Sequence, residues 1–341
     1  MSKIFILSDK NIIDNNWFYG LFIDFKKYKK VSILNYSYIR GLSIFFNLSQ
    51  SAKIKSFIFN FFLKKNDIIF VPTILYLHHI DISLIKCKVI LLCHDAIPFE
   101  SNQKELTGVN YSEELINKWK TNIKLLNKIF TVSNYSKNRI SKLLEINLSK
   151  IEVIKNGLDP EFFVQNNHLL YKKNKNNKFI YVLISSSNAP RKNFKIIEEV
   201  VNKTNIIYPD IKYIRVGPRQ SYFNKYENCI DLGYISKKEL VSLYKFCDIL
   251  LFPSIYEGFG LPILEAMYMQ LSIITTNLTS IPEVCGFDGA HFIDPSSSDE
   301  IIQKLLYIKK NPEIEKHRNK INFNKSMNFY WEANKILNIN E

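Results

Sequence analysis

The stretch Pro253-Ser-Ile-Tyr-Glu-Gly-Phe-Gly-Leu-Pro-Ile-Leu-Glu-Ala-Met267 follows the apolar run Ile249–Phe252, which predicts a short buried strand. The glycines of the stretch permit a tight turn in which backbone N–H groups approach a ligand, and its second proline suits the first turn of a helix. The helix predicted over 262–270 therefore begins at the carboxyl edge of a sheet. Its free N–H groups and positive dipole end favour a phosphate group or sugar hydroxyls there.

Two carboxylates, Glu257 and Glu265, flank the same turn. Glu257 precedes the turn, and Glu265 lies on the predicted helix, along which each residue advances about 1.5 Å. The two side chains can thus reach different parts of one ligand. Taken alone, Glu257 is better explained as a helix cap and Glu265 as a solvated helix residue. The complete string of glycines, proline and glutamates favours a ligand site.

A second loop, Ser185-Ser-Ser-Asn-Ala-Pro-Arg-Lys-Asn193, follows another predicted strand, Phe179–Ile184. Asn193 is predicted to cap the helix that comes next. Arg191 and Lys192 then stand at a helix N-terminus, where cations oppose the helix dipole unless an anion is bound. The pattern favours a pyrophosphate site, and the alternative is a pair of solvated surface charges.

Two further strand ends carry candidate site residues. His94 and Asp95 end a predicted strand of the first half of the chain, and an adjacent His-Asp pair at a strand end favours an active-site role, although a lone histidine is more often structural. The loop Asp231-Leu-Gly-Tyr-Ile-Ser236 precedes a predicted helix. We expect its backbone near Tyr234 and Ile235 to hold a flat base.

The order of predicted elements defines the architecture. Apolar β-branched runs alternate with amphipathic helical segments, which predicts an α/β fold with parallel sheets. Residues 164–178 are polar, lysine-rich and without periodicity, which predicts a linker. We expect an N-terminal domain over 1–163, a C-terminal domain over 179–320, and a last helix over 321–341 that packs back toward the N-terminal domain. Clefts between domains commonly bind ligands.

The composition excludes several classes of protein. The chain has 341 residues, of which 46% are hydrophobic and 14% aromatic, and disorder would require low hydrophobicity. Five cysteines without a Cys-x-x-Cys pair predict reduced thiols in a cytoplasmic protein rather than disulfides or a zinc site. The sequence shows no signal-peptide core and no apolar run of about 18–20 residues, so we expect neither a leader nor a membrane span.

The charge is strongly basic, with 46 Lys+Arg against 32 Asp+Glu and a formal net charge of +14. This balance indicates an anionic partner, or else a lysine-rich composition without functional meaning. No basic-aromatic recognition motif supports a nucleic-acid partner. The segment Ala52–Lys65 has aromatic residues at helical spacing and lysines at its ends, which is typical of a core helix or of an interfacial helix in peripheral contact with an anionic membrane.

The string Glu257-Gly-Phe-Gly-Leu-Pro-Ile-Leu-Glu265 resembles the Glu-x7-Glu motif of retaining, nucleotide-sugar-dependent glycosyltransferases of the GT-B fold, family four. The resemblance implies two Rossmann-like domains that face each other across a cleft, with the donor bound mainly by the second domain. It covers residues 88–310, in family order. The other matching strings are His94-Asp95, Val132-Ser133, Asn156-Gly157, Pro190-Arg-Lys-Asn193, Leu232-Gly-Tyr234, Leu243-Tyr244, Ile281-Pro-Glu-Val284 and Asp294-Pro295.

The resemblance also implies residue roles in donor binding. Lys192 and Arg191 would hold the diphosphate, Glu265 the ribose hydroxyls, and the backbone near Tyr234 and Ile235 the base. The sugar would be held by Glu257 together with the backbone of the turn. The donor-binding residues of that turn are Gly258, Phe259, Gly260 and Leu261.

For catalysis, the resemblance implies that His94 lines the reacting face from the first domain, and we expect His94, Asp95 and Glu257 to be the catalytic residues. It further implies retention of anomeric configuration without a metal, because lysine, arginine and the helix end neutralise the charge that a metal would otherwise meet. The transition state would resemble an oxocarbenium ion, and the leaving phosphate would take the proton of the acceptor. We expect no cofactor beyond the nucleotide-diphosphate sugar itself.

The expected function is transfer of a hexose from GDP-mannose or a UDP-sugar to a glycan or lipid-linked glycan in surface polysaccharide biosynthesis, at the inner face of the cytoplasmic membrane. Two departures from the family bear on it: Ser8-Asp9-Lys10-Asn11 replaces the usual glycine-rich loop after the first strand, and Met269-Gln-Leu replaces a Gly-x-Pro turn. A non-catalytic subunit of a glycan assembly complex and a nucleic-acid-binding protein are the alternatives, and intact Glu257, Glu265 and Lys192 argue against the former.

Overall fold

The structure is a computed structural model that describes residues 4–8, 31–35, 56, 60, 63–164, 179–220, 223 and 225–329. Three predictions lie wholly or largely outside these ranges. They are the linker from residue 165 onward, the helix over Ala52–Lys65, and the final part of the last helix, from residue 330 onward.

The described chain divides into two units. The N-terminal unit comprises the described residues up to Gln103 together with Val109–Gly157, and the C-terminal unit comprises Lys104–Gly108 and the described residues from Leu158 to Phe329. The break therefore falls before the short 3-10 helix Pro160–Phe163, a few residues ahead of the predicted linker.

The N-terminal unit contains a parallel sheet, described with six strands in the order β2-β1-β3-β4-β5-β6. Helices α2 (Glu113–Leu125) and α3 (Asn134–Leu144) belong to this unit. The central strands β3, β4 and β5 form because their short apolar runs are buried on both faces, as is usual in parallel sheets. Their bounds are β1 Ile4–Ser8, β2 Val31–Asn35, β3 Ile68–Val71, β4 Lys88–Leu92, β5 Lys128–Thr131 and β6 Ile151–Val153.

The core of this unit is built on α2. Trp119 is fully buried and meets Tyr111 edge-on, with ring centroids 5.2 Å apart. On the next turn, the amide of Asn122 donates to the carbonyl oxygens of Leu77 and Ile80 at 2.9 and 3.2 Å. This contact satisfies backbone groups of the 3-10 turn that follows β3 and fixes the helix to the sheet.

The C-terminal unit contains a second parallel sheet, whose described strands run in the order β12-β11-β10-β7-β8-β9. Counted within the unit, this is the doubly wound order 3-2-1-4-5-6, in which the winding reverses between the first and fourth strands, β7 and β10. The bounds are β7 Ile180–Ser185, β8 Ile211–Val216, β9 Cys229–Asp231, β10 Ile249–Phe252, β11 Ser272–Thr275 and β12 His291–Phe292.

Helices cover this sheet, and α4 shows why they form. Its apolar positions Ile196, Ile197, Val200 and Val201 recur at helical spacing and are buried against the sheet, as predicted. The helices of the described unit are α1 Gln103–Thr107, α4 Phe194–Ile207, α5 Lys237–Phe246, α6 Leu261–Tyr268, α7 Ile281–Cys285, α8 Ser298–Lys310 and α9 Pro312–Ser326.

The structure corrects two predictions about elements. Asn193 does not cap α4 with its side chain: its backbone is left-handed, with φ +58°, and its amide donates instead to the carbonyl oxygen of Pro295 at 2.7 Å. The predicted domain boundary at residue 320 falls inside α9, which packs against α6 of the same unit. Searched over the described residues, no helix is both long and apolar enough to cross a membrane.

Candidate active site

The carboxyl ends of β7 and β10 are neighbours, because the two strands pair in the middle of the C-terminal sheet. In doubly wound sheets, ligands bind outside the strand ends where the winding reverses. The loop after β7 contains Arg191 and Lys192, and the loop after β10 contains Glu257. The fold therefore places both predicted loops at the position where this architecture binds its ligands.

Lys192 and Glu257 form a buried ion pair, with Lys192 Nζ 2.5 Å from Glu257 Oε1 and each side chain 9% exposed. Ser254 Oγ donates to the same carboxylate oxygen at 2.5 Å. The ammonium group also lies 4.7 Å above the ring of Phe252, a cation–π contact. The side chain predicted to hold phosphate and the side chain predicted to hold sugar thus contact each other directly.

The main chain of Arg191 joins the two loops. Its carbonyl oxygen accepts a hydrogen bond from Ile255 N at 2.8 Å and lies 3.1 Å from Ser254 Oγ. The guanidinium Nε of Arg191 is buried without a hydrogen-bond partner among the described residues. A buried donor of this kind is costly unless it finds an acceptor, and a bound phosphate oxygen would supply one.

Helix α6 begins where the second loop ends. Gly260 is its N-cap residue and has φ +106°, a conformation that side chains with a Cβ rarely adopt. Pro262 stands in the first turn. Of the two residues before the cap, Gly258 is half-buried and Phe259 is buried. Leu261, which follows the cap, is 43% exposed. The helix N-terminus therefore begins three residues after Glu257, and its positive dipole end suits an anion or hydroxyls.

A third loop, after β11, holds the Glu257 turn in place. Thr279 Oγ1 accepts from Glu257 N at 3.1 Å, and Ser280 Oγ donates to the carbonyl oxygens of Glu257 and Phe259 at 2.9 and 3.2 Å. Thr279 has φ +56°, which is strained for a β-branched residue. Our sequence analysis missed both residues, although the hydroxyl pair before Ile281-Pro-Glu-Val284 was a visible signal.

Glu265 lies on α6 and makes a separate set of contacts. The hydroxyl of Tyr244 donates to Glu265 Oε2 at 2.7 Å. Burial raises the pKa of the Glu265 carboxyl above its ordinary value, against the opposing effects of this hydrogen bond and of the Lys237 charge. Burial and the neighbouring carboxylate raise the pKa of the Tyr244 hydroxyl well above its usual range. Glu265 is thus a partly desolvated acceptor, distinct from the Lys192–Glu257 pair.

The loop after β9 is the predicted base site. Gly233 has φ +70°, and the side chain of Arg219 lies so close that a Cβ at this position would be 2.8 Å from its Nε. Tyr234 is 82% exposed and Ile235 is half-buried. This backbone is therefore accessible next to a planar guanidinium.

Sequence analysis also missed Arg215, a fully buried residue of β8 that pairs with the buried Asp231 at 2.9 Å. A charged residue inside an otherwise apolar strand, with an acid at the end of the next strand, was the available signal. The contacts of this pair extend to several loops of the site.

His94 and Asp95 follow β4 in the N-terminal unit. His94 Nε2 lies 3.2 Å from the carbonyl oxygen of Pro72, which can only accept, so this nitrogen carries a proton. Burial lowers the pKa of His94 and keeps the imidazole neutral, which leaves Nδ1 with a lone pair. Asp95 Oδ1 accepts from Ile97 N at 2.9 Å and thereby caps the 3-10 turn Ile97–Phe99.

Within the described ranges, no group of three or more histidine, cysteine, aspartate or glutamate side chains could hold a metal ion. The expectations of metal independence and of no cofactor stay predictions.

Comparisons with solved structures identify the fold class. The chain superimposes on Anabaena Alr3699/HepE in complex with UDP-glucose with a TM-score of 0.74 at 13% identity, covering 99% of this chain and 100% of the other. Sucrose-phosphate synthase from Thermosynechococcus elongatus gives a TM-score of 0.73 at 12% identity, over 100% and 98% of the two chains. The fold is therefore that of GT-B glycosyltransferases, with two Rossmann-like domains, as predicted.

Sequence comparisons agree with the fold. Residues 167–326 match the family model of the glycosyl transferases group 1, which confirms the resemblance. The serotype-specific mannosyltransferase WbdA of Escherichia coli is 27% identical over 241 residues, which are 64% of this chain but 29% of WbdA. The O-antigen chain mannosyltransferase RfbU of Salmonella typhimurium is 26% identical over 246 residues, 66% of each chain. The chain thus spans less than a third of the length of WbdA.

Proposed function

We propose that this protein is a retaining, metal-independent glycosyltransferase that transfers a hexose from a nucleotide-diphosphate sugar, GDP-mannose or a UDP-sugar, to a glycan or lipid-linked glycan of a surface polysaccharide. The observation that carries the proposal is the buried contact between Lys192 and Glu257 beside the N-terminus of α6. Both residues lie within the range that matches the family. The relatives of this chain include a serotype-specific mannosyltransferase, WbdA, and an O-antigen chain mannosyltransferase, RfbU.

In the proposed complex, the donor diphosphate accepts from Lys192 and Arg191 and lies at the positive end of the α6 dipole. The buried Nε of Arg191 supports this assignment, because it gains the acceptor that it lacks. As phosphate oxygens approach, the Lys192 ammonium group shares its protons with them, and Glu257 becomes available to sugar hydroxyls. The ribose hydroxyls donate to Glu265, and the base lies on the backbone beside Tyr234 and Ile235.

The chemical step follows from these positions. The bond between the anomeric carbon and the leaving phosphate oxygen breaks, and charge develops on the phosphate next to two cations and a helix dipole that are already in place. The sugar passes through an oxocarbenium-like state near the Glu257 carboxylate. The acceptor hydroxyl bonds to the same face of the anomeric carbon, and its proton goes to the leaving phosphate. We propose His94, whose imidazole is neutral, and Asp95 as further catalytic residues, supplied by the N-terminal unit.

The test uses the whole chain and a panel of GDP- and UDP-sugars, with thermal unfolding and donor hydrolysis as readouts. We expect at least one nucleotide sugar to raise the melting temperature and to be hydrolysed slowly. Glu257→Ala and Lys192→Ala should each abolish turnover, whereas Lys225→Ala, which removes an exposed lysine paired with Glu198, should not. The proposal fails if no nucleotide sugar stabilises the protein or if both site variants keep full activity.

We also propose peripheral contact with an anionic membrane at its cytoplasmic face. The support is the net charge of +14 and the lysines that flank the aromatic segment Ala52–Lys65. Co-sedimentation with vesicles that contain anionic lipid, compared with neutral vesicles, tests this point. Equal recovery with both kinds of vesicle would contradict it.

A further inference from the structure

The most completely buried charge of the C-terminal unit lies one strand away from the Lys192–Glu257 pair. Arg215 is a residue of β8, and the side chains of Arg215 and its partner Asp231 are 0% and 2% exposed. The guanidinium carbon stacks 5.0 Å from the ring centroid of Phe194 and 5.9 Å from that of Phe223. The aromatic rings keep water from the ion pair and restrict the orientation of the planar group.

The fork of Arg215 reaches two strand-end loops and the end of a third strand. Nη1 donates to both carboxylate oxygens of Asp231, at 3.0 and 2.9 Å. Nη2 donates to Asn188 Oδ1 at 2.8 Å, in the loop after β7, and to the carbonyl oxygen of Pro218 at 2.5 Å, in the loop after β8. The Asn188 loop is the one that continues into Arg191 and Lys192.

Asp231 extends the same network. Its two oxygens accept from Gly233 N at 3.0 Å and from Gln220 N at 2.8 Å. Gly217 N donates to Gly233 O at 3.0 Å, and a Cβ at Gly217 would lie 2.2 Å from Ser186 O. The loops after β7, β8 and β9 are therefore packed backbone to backbone around one ion pair.

Stability alone does not account for this arrangement. Replacing a buried ion pair by apolar side chains of similar volume is often neutral or stabilising, so such a pair is weak evidence for a stabilising role. The polar contacts of Arg215 all lead to the carboxyl edge of the sheet. They tie the loop predicted to hold the diphosphate to the loop predicted to hold the base.

We propose that Arg215 is a positioning residue for the donor: together with Asp231 it fixes the base-side and phosphate-side loops at the separation that one nucleotide diphosphate requires. The inference rests on the proposed function. Because the network sets the geometry of the free protein, its loss weakens binding of the nucleotide and leaves the chemical step of bound donor largely unchanged.

The experiment compares three variants of the full chain. Arg215→Lys keeps the charge but loses the fork that joins the loops. Asn188→Ala removes one link at an exposed position and leaves the buried pair intact. Arg318→Lys is the matched control, because Arg318 pairs with the buried Glu315 at 2.7 Å on α9. The readouts are the Kd of GDP and of UDP by calorimetry, the KM and kcat of donor hydrolysis, and the melting temperature.

We expect Arg215→Lys to raise the nucleotide Kd and the donor KM about tenfold or more, and Asn188→Ala about threefold, because hydrogen bonds to charged groups are lost. The kcat should change less than about threefold, because the network affects binding of the donor and not the chemical step of the bound donor. Arg318→Lys should lower the melting temperature without changing Kd. Nucleotide binding at wild-type strength in both Arg215→Lys and Asn188→Ala would overturn the inference. If Arg215→Lys does not fold, the exposed Asn188→Ala decides. Absence of GDP and UDP binding in the unmodified protein would instead refute the proposed function.

Discussion

Two buried ion pairs of the C-terminal unit differ in what surrounds them. Arg215 donates to Asp231 and to a side chain of the loop after β7. Asp231 accepts from backbone N–H groups of the loops after β8 and β9. Lys192 and Glu257 are bonded to each other, with Ser254 as a further donor to Glu257 Oε1. In the first pair, the Nη atoms and both carboxylate oxygens are bonded to groups of the protein, and Arg215 Nε is buried without a partner among the described residues. In the second pair, the ammonium and carboxylate groups can be taken over by a ligand. The Arg215–Asp231 pair is thus a structural element of the site, and the Lys192–Glu257 pair belongs to its reactive part.

The largest effect on turnover should come from removing the Lys192–Glu257 pair. Lys192→Met alone leaves Glu257 buried without its cation, so both stability and turnover should fall. The double variant Lys192→Met/Glu257→Gln should regain most of the free energy of unfolding while its turnover stays lower by about 10²–10³-fold or more. Chemical denaturation and donor hydrolysis measure the two quantities. Recovery of turnover in the double variant would contradict the assignment.

The corresponding substitutions in the Arg215–Asp231 pair should lower stability and leave turnover largely intact. Arg215→Met should lower the free energy of unfolding by about 3–5 kcal/mol, because Asp231 remains buried and unpaired. Arg215→Met/Asp231→Asn should recover a large part of that loss and retain turnover at saturating donor. Denaturation curves and the kcat of donor hydrolysis test this. Equal loss of kcat in both double variants would remove the distinction between the pairs.

Glu265 offers a test with a defined pH dependence. Burial raises its folded-state pKa above the unfolded value near 4.5, so its contribution to stability is present below that value and is lost as pH rises through the folded pKa. Glu265→Gln should therefore stabilise the protein at neutral pH and leave its stability unchanged near pH 4. Nucleotide binding should weaken at the same time. Denaturation at both pH values and nucleotide calorimetry check the two effects.

The smallest effect should come from the loop that supports Glu257. Thr279→Gly relieves the positive φ but removes the acceptor of Glu257 N. We expect stability within about 1 kcal/mol of the unmodified protein and kcat/KM lower by about tenfold, since one hydrogen bond that orients Glu257 is lost. Ser280→Ala is the matched comparison at the neighbouring residue. A fall in stability without a change in kcat/KM would assign Thr279 to folding alone.

The carboxyl-edge loops could be predicted from sequence because short apolar runs mark buried strands and motif residues follow them directly. The run Ile249–Phe252 and the turn before Gly260 are examples. Direct contact between Lys192 and Glu257 could not be predicted, since the two are 65 residues apart and meet only through the pairing of β7 and β10.

The errors have physical causes. Asn193 finds a tertiary acceptor at Pro295, which outweighs the local cap. The beginning of helix α9 was missed, because its buried positions are polar and no apolar periodicity marks them. They are Glu315, Asn319, Asn322 and Ser326, with Glu315 accepting from Ser272 at 2.8 Å. Arg215 was missed because one charge in a strand is usually a solvent-facing residue.

The five cysteines, all free and buried, have a practical consequence. Burial raises the pKa of Cys87 to about 11 and the pKa values of Cys229 and Cys285 to about 12, so these thiols stay protonated and poorly nucleophilic at neutral pH. A cysteine introduced at the exposed Tyr234 would then react with a maleimide fluorophore ahead of these native thiols. The unaltered cysteine background thus permits site-specific labelling, with a reporter placed directly at the loop predicted to receive the base.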